Sequence, residues 1–253
     1  MNKSELKKYV ILLIAITAVF VFFWCEPIFR FLDCFSFINI ALMRVPVSPT
    51  PEGLAGNYLN SGSVTISYAI MYIFALSFLF MTDNPAHIVR LKSRKFYVNK
   101  HITDTLVFTL IFVFILQTVN LTGTTILLGI GEVIQSKLII YSLINFVVLF
   151  LFYFRIGILL FIMIVIVSKK YAPFVTAALL LLESAGSAFL PVLDSLWLPS
   201  KDATYILSLL SGNIREIDTL PAIIRGLIMD AAIILFAYYL FLKKDIIVKK
   251  ENS

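Results

Sequence analysis

The sequence predicts an all-α, polytopic membrane protein: six transmembrane helices in one domain over residues 1–253, with a short amphipathic helix on the cytoplasmic side. Three observations lead there. The chain is 60% hydrophobic and only 14% charged, with a mean hydropathy of +0.96, a balance that a soluble domain of 253 residues does not show. Apolar runs long enough for a bilayer recur along it, since about 20 helical residues cross the hydrocarbon core. The basic residues gather in alternate connecting segments, as they do when loops lie on opposite sides of a membrane. No polar block is long enough to form a soluble domain.

The first span is read over 9–25, after the basic start "MNKSELKK". A cleaved signal peptide competes for this stretch. The run is long, aromatic-rich and without a small-x-small cleavage site, so it reads as an uncleaved helix. Cys25 lacks the small residues that precede a lipoprotein cysteine. Cys25 and Cys34 are nine residues apart. On one helix that is about 13 Å, beyond the roughly 7 Å reach of a disulfide; a disulfide needs a turn between them, and the favoured reading is two small apolar residues. The following "EPIFRFLDCFSFINIALMRVPVSPTPEGLAGNYLNSGS" begins in the outer interface and passes through "PVSPTPEG" as loop.

Further spans are read over 63–82, 104–121, 137–168, 171–192 and 222–242. The fourth reads either as one long tilted helix or as two short ones broken near "YFRIGI", and charge decides. With six spans and both termini inside, the inner segments hold fourteen basic residues: Lys3, Lys7, Lys8, Arg90, Lys92, Arg94, Lys95, Lys100, Lys169, Lys170, Lys243, Lys244, Lys249 and Lys250. The outer segments hold five: Arg30, Arg44, Lys137, Lys201 and Arg215. Splitting the fourth span would destroy that bias. The outer stretch before the last span contains "YILSLL", too short to cross and therefore interfacial or re-entrant. Asn120 opens an "NLT" triplet, a pattern common by chance. Gln117, Ser142 and Asn145 are isolated polar residues for which helix–helix hydrogen bonds suffice.

The most polar long run is "NPAHIVRLKSRKFYVNKHI", residues 84–102. Asn84 suits an N-cap, Pro85 the first helical position, and Asp83 the positive end of the helix dipole. Ile88, Leu91, Val98 and Ile102 recur at helical spacing beside a stripe of Arg90, Arg94, Tyr97 and His101. One reading is a basic segment that touches anionic lipid. The other is a docking element for a soluble partner.

The segment "HIVRLKSRKFYVNKHI" resembles the coupling-helix segment of type-2 ABC exporter permeases, the small six-helix bacterial kind found with antimicrobial-peptide export and immunity. It departs from that pattern at Leu91, where an aromatic is usual. The ending "YYLFLKKDIIVKK" resembles that family's close, an aromatic-rich last helix stopping at a basic pair and an aspartate. The resemblance extends over nearly the whole chain, through short and degenerate motifs. It implies a multi-pass protein of the bacterial cell membrane with cytoplasmic termini. It implies docking of Ile88, Arg90, Leu91, Arg94 and Tyr97 on an ATP-binding subunit, and a second permease copy or sibling completing the path. The chain has no "GxxxxGK[ST]" phosphate loop. ATP and Mg²⁺ are therefore expected on the partner, with no cofactor and no catalytic residue here. The lipid bilayer, not nucleic acid, is the other expected partner. The rival reading is a stand-alone membrane immunity or binding protein without transport.

Charged residues within the spans carry the remaining signal. Arg155 lies 14 residues from Lys169, Glu183 lies 13 from Lys170, and Asp230 lies 13 from Lys243. At 1.5 Å per residue all three stand about 20 Å above the inner anchors, near mid-membrane. Such charges are costly and are paired or functional. Arg155 is expected to meet Glu183 or Asp230, either as a structural ion pair or as a charged contact in a transport path or permease seam. His87 and His101 both fall in the polar segment, leaving no His/carboxylate cluster at membrane depth for a metal.

Overall fold

The computed structural model describes residues 3–31, 50–59, 63–81, 94–189, 203, 209–210, 212 and 215–243. The described residues are 92% helix, with no strand among them. The elements are α1 (Lys3–Phe31), α2 (Pro51–Tyr58), a π-helical turn (Ser63–Ser67) running into α3 (Tyr68–Met81), α4 (Arg94–Leu128), α5 (Ile130–Gln135), α6 (Leu138–Ile166), α7 (Ala172–Phe189), and a 3₁₀ turn (Glu216–Thr219) leading into α8 (Leu220–Lys243). Four stretches are long and apolar enough to cross a membrane: Ser63–Phe80, Lys95–Leu128, Leu138–Ile166 and Glu216–Phe241. The apolar stretches Tyr9–Cys25 and Ala172–Glu183 are shorter.

Neighbour contacts fix the directions of α1, α3, α4, α6 and α8. Phe20 meets Phe112, and Trp24 lies on Gly123, so α1 runs parallel to α4. Tyr72 bonds Thr109 and Phe80 meets His101, so α3 runs antiparallel to α4. His101 stacks on Phe161 and Thr105 abuts Gly157, so α6 is antiparallel to α4 as well. Leu151 abuts Gly226, Arg155 bonds Asp230 and Phe161 stacks on Phe241, so α8 runs parallel to α6. One end of the bundle thus gathers the start of α4 with the ends of α3, α6 and α8. Lys95, Lys100, Lys169 and Lys170 belong to that end, and the Lys169 ammonium donates to the Phe80 carbonyl at 3.3 Å. The other end carries Lys137 and Arg215 beside acids: Lys137 pairs with Glu216 at 3.3 Å, and Arg215 with Asp218 at 3.2 Å.

The core is aromatic and close-fitting. Tyr72, Phe112 and Tyr153 are fully buried, with ring centroids 5.1–5.4 Å apart. Each buried phenol needs an acceptor. Tyr72 shares a 2.7 Å bond with Thr109, Tyr153 donates to the Val64 carbonyl at 2.8 Å, and Tyr68 donates to the Tyr58 carbonyl at 2.9 Å. Burial raises the Tyr58 phenol well above its ordinary pKa, keeping it a neutral donor to the Leu116 carbonyl. Gly157 makes this approach achievable, because a Cβ there would press on Thr105, Tyr72 and Leu76. The outward faces are apolar too: Ile14, Phe114, Leu182 and Leu235 are all more than 60% exposed. A soluble bundle would place polar residues there; a hydrocarbon solvent asks for this arrangement.

The structure refines several expectations. The fourth segment is one unbroken helix of 29 residues. The third runs past 104–121 in both directions and totals 35 residues. That is roughly 52 Å, well beyond a hydrocarbon core of about 30 Å. Residues 94–102, expected within a separate cytoplasmic segment, are its first turns. "PVSPTPEG" is not all loop. Thr50 Oγ1 accepts from the Gly53 amide, Pro51 takes the first helical position, and Leu54 and Tyr58 bury one face of α2. The long third helix ends at Gly129, whose φ of +84° stops helical continuation; α5 follows, and Lys137 at φ +55° turns the chain into α6.

Candidate functional site

Arg155 and Asp230 form the charged centre of the bundle. They stand on the parallel helices α6 and α8, with Arg155 Nε donating to Asp230 Oδ1 at 3.0 Å. Their side chains are 7% and 5% exposed. Gly226, one turn before Asp230, clears the way for the arginine: a Cβ there would lie 2.9 Å from a Leu151 methyl and 3.6 Å from Arg155 Nη2. The second carboxylate oxygen, Asp230 Oδ2, is buried with no hydrogen-bond partner among the described residues. In a low-dielectric interior the pair holds two helices in register, and the unfilled oxygen leaves one strong acceptor unsatisfied. Shared depth left Glu183 and Asp230 both open as partners of Arg155, and the structure brings Asp230 to it. Glu183 is half-buried on α7, which packs on α3 and α6, while the ion pair lies on the α6–α8 side.

The polar segment divides at Arg94. Ile88, Arg90 and Leu91 lie outside the described residues, as does the expected cap at Asn84 and Pro85. Arg94 is the first residue of α4. Tyr97, expected on a docking face, is instead buried at 7% exposure. Its ring lies 4.3 Å from His101, 5.8 Å from Phe241 and 6.0 Å from Phe161, centroid to centroid. His101 stacks on Phe161 at 4.7 Å. The stripe of Tyr97 and His101 is therefore a core stripe joining α4 to the ends of α6 and α8. Phe96 is the exposed aromatic of this first turn, and Tyr238 Oη bonds the Asn99 side chain beside it.

One group of residues escaped the sequence reading. Gln117, Asn120, Thr124, Ser142 and Asn145 are all nearly fully buried on α4 and α6. The helix–helix hydrogen bonds expected of Gln117, Ser142 and Asn145 are not made: none of the side-chain polar atoms of these five residues has a partner among the described residues. Asn120 has no exposed surface, which also removes it as a glycan acceptor in this fold. Spacing gave a signal, since Gln117, Asn120 and Thr124 share one helical face, as do Ser142 and Asn145. Comparison of the chain with family models, with curated proteins and with solved structures finds no match.

Proposed function

We propose that the chain is the permease subunit of an ABC exporter, a six-span protein of a bacterial cell membrane with cytoplasmic termini, that exports or clears an amphipathic peptide. The observation that carries this reading is the basic segment resembling a coupling helix, together with where it leads. Its last residues, from Arg94, are the first turns of a helix that continues unbroken to Leu128. A push delivered at Arg94 by a nucleotide-driven partner would travel along one rigid element to the far end of the bundle. Tyr97 and His101 lock that helix start to α6 and α8, so the same push reaches the Arg155–Asp230 pair through packed side chains. ATP and Mg²⁺ would sit on the partner, and a second copy or a sibling permease would complete the path.

A stand-alone immunity or binding protein is the second reading. The inward packing of Tyr97 and Val98 favours it, because it withdraws apolar surface that a docked partner would use. Affinity purification of the tagged chain from its native membranes separates the two. A co-purifying chain with a phosphate loop and Mg²⁺-dependent ATP hydrolysis supports the exporter. A folded, monodisperse chain that brings no such subunit supports the stand-alone protein.

A further inference from the structure

The buried polar group on α4 and α6 is built like a site. The observed register sets its layout. His101 opposite Phe161 and Thr105 opposite Gly157 define how the antiparallel helices align. Carried along both helices past the contact of Phe112 with Tyr153, that alignment brings Gln117 and Asn120 to the levels of Asn145 and Ser142. Thr124 follows one turn beyond Asn120. Trp24 of α1 lies against Gly123, where any Cβ would overlap the indole ring, and its Nε1 is likewise buried without a partner.

These side chains differ from the other polar residues of the same helix. Thr105, Thr109 and Thr125 each donate to the carbonyl four residues back, at 2.7–2.8 Å. Thr124, next to Thr125, does not. Buried amides and hydroxyls are costly unless hydrogen-bonded, and three amides, two hydroxyls and an indole N–H at neighbouring levels concentrate that cost. The group is uncharged, so nothing offsets the desolvation of an ion. It presents donors and acceptors together, so its complement both donates and accepts.

We propose that the α4–α6 seam from Gln117 and Asn145 to Thr124 is a binding site for neutral hydrogen-bonding groups, either water molecules or the amide groups of a peptide. Such guests satisfy buried polar side chains at several bonds each. The site does not depend on the exporter reading; only the peptide source rests on it.

The test uses the full chain in lipid nanodiscs, with Cys25→Ser and Cys34→Ser as background. Thr124→Cys and Ser142→Cys are near-isosteric reporters. Leu116→Cys and Val148→Cys are controls at buried apolar positions of the same two helices. The probe is a small hydrophilic methanethiosulfonate, which reacts with the thiolate. Each unit by which a dry environment raises a thiol pKa cuts the thiolate about tenfold, so the reporters should react at least about tenfold faster than the controls. A rate unchanged by a blocked, uncharged alanine tripeptide assigns the site to water. A rate lowered by that peptide in a dose-dependent way assigns it to peptide amides. Reporters no faster than the controls would overturn the proposal. In the unsubstituted chain, NMR should show the Asn120 and Asn145 side-chain amide protons exchanging with water or contacting added peptide; amides isolated from both would overturn it independently.

Discussion

At the scale of single residues the fold rests on groups that a bilayer tolerates only in pairs. Removing one partner of a buried ion pair strands the other, at about 3–5 kcal/mol, whereas replacing both with apolar side chains is often neutral. Arg155→Met should therefore lower stability strongly, and Arg155→Met with Asp230→Leu should recover most of the loss. Thermal unfolding in detergent reads this, and additive losses would contradict it. If the pair also serves transport, the double variant should fold yet fail in a peptide-export assay. Gly157 makes a separate point. Gly157→Ala would press a methyl against Thr105, Tyr72 and Leu76, and overpacking of a tight core costs about 1–3 kcal/mol. Arg155 and Asp230 were legible from the sequence because counting from the flanking lysines gives depth. Which helix faces meet was not legible, so Glu183 stood beside Asp230 as a candidate for the pair. Gln117, Ser142 and Asn145 read as isolated polar residues, Asn120 as a chance triplet, and Thr124 gave no signal of its own; only the register of α4 against α6 places the five at neighbouring levels.

At the scale of elements, α4 and the turn that ends it would carry the proposed mechanics. Gly129 has a φ of +84° with open space around it, so a side chain there costs backbone strain and nothing else. Gly129→Ala should destabilise by about 1–3 kcal/mol. Gly131→Ala, in the helical α5 with the same open surroundings, should stabilise by up to about 1 kcal/mol. Equal effects in a denaturation series would show that the turn does not need a left-handed residue. At the other end of α4, Arg94→Glu places the wrong charge at the proposed docking point. It should release the ATP-binding partner or uncouple hydrolysis from transport while the chain still inserts and elutes as a single species. A basic segment that merely touches anionic lipid predicts otherwise: a loss of about 1 kcal/mol per basic residue, made up by its neighbours. The sequence marked the apolar part of α4 and, separately, a helical pattern over 84–102; that residues from Arg94 onward are one helix with the apolar part, and that it continues to Leu128, was not legible. Hydropathy falls among the polar residues before Asp104, although the backbone stays helical through Tyr97 and His101.

At the scale of the whole molecule, the directions of α1, α3, α4, α6 and α8 and the gathering of Lys95, Lys100, Lys169 and Lys170 at one end fit the fourteen-to-five division of basic residues. If that end is cytoplasmic, Lys95→Cys should resist a membrane-impermeant thiol reagent added to intact cells and react once the cells are opened. Labelling in intact cells would invert the topology. Three spans were legible closely, because the apolar runs behind Ser63–Phe80, Leu138–Ile166 and Glu216–Phe241 are bounded by abrupt polar stops. The start of α2 was hidden because Pro and Gly read as loop, although Pro51 behind Thr50 is a helix start. The central claim, that the start of α4 meets an ATP-binding subunit, is tested most directly at Phe96, the exposed aromatic of that turn. A photo-crosslinking amino acid placed there in native membranes should capture a chain that carries a phosphate loop, and Arg94→Glu should abolish the adduct. Adducts to lipid alone, from a chain that folds and inserts normally, would contradict the claim.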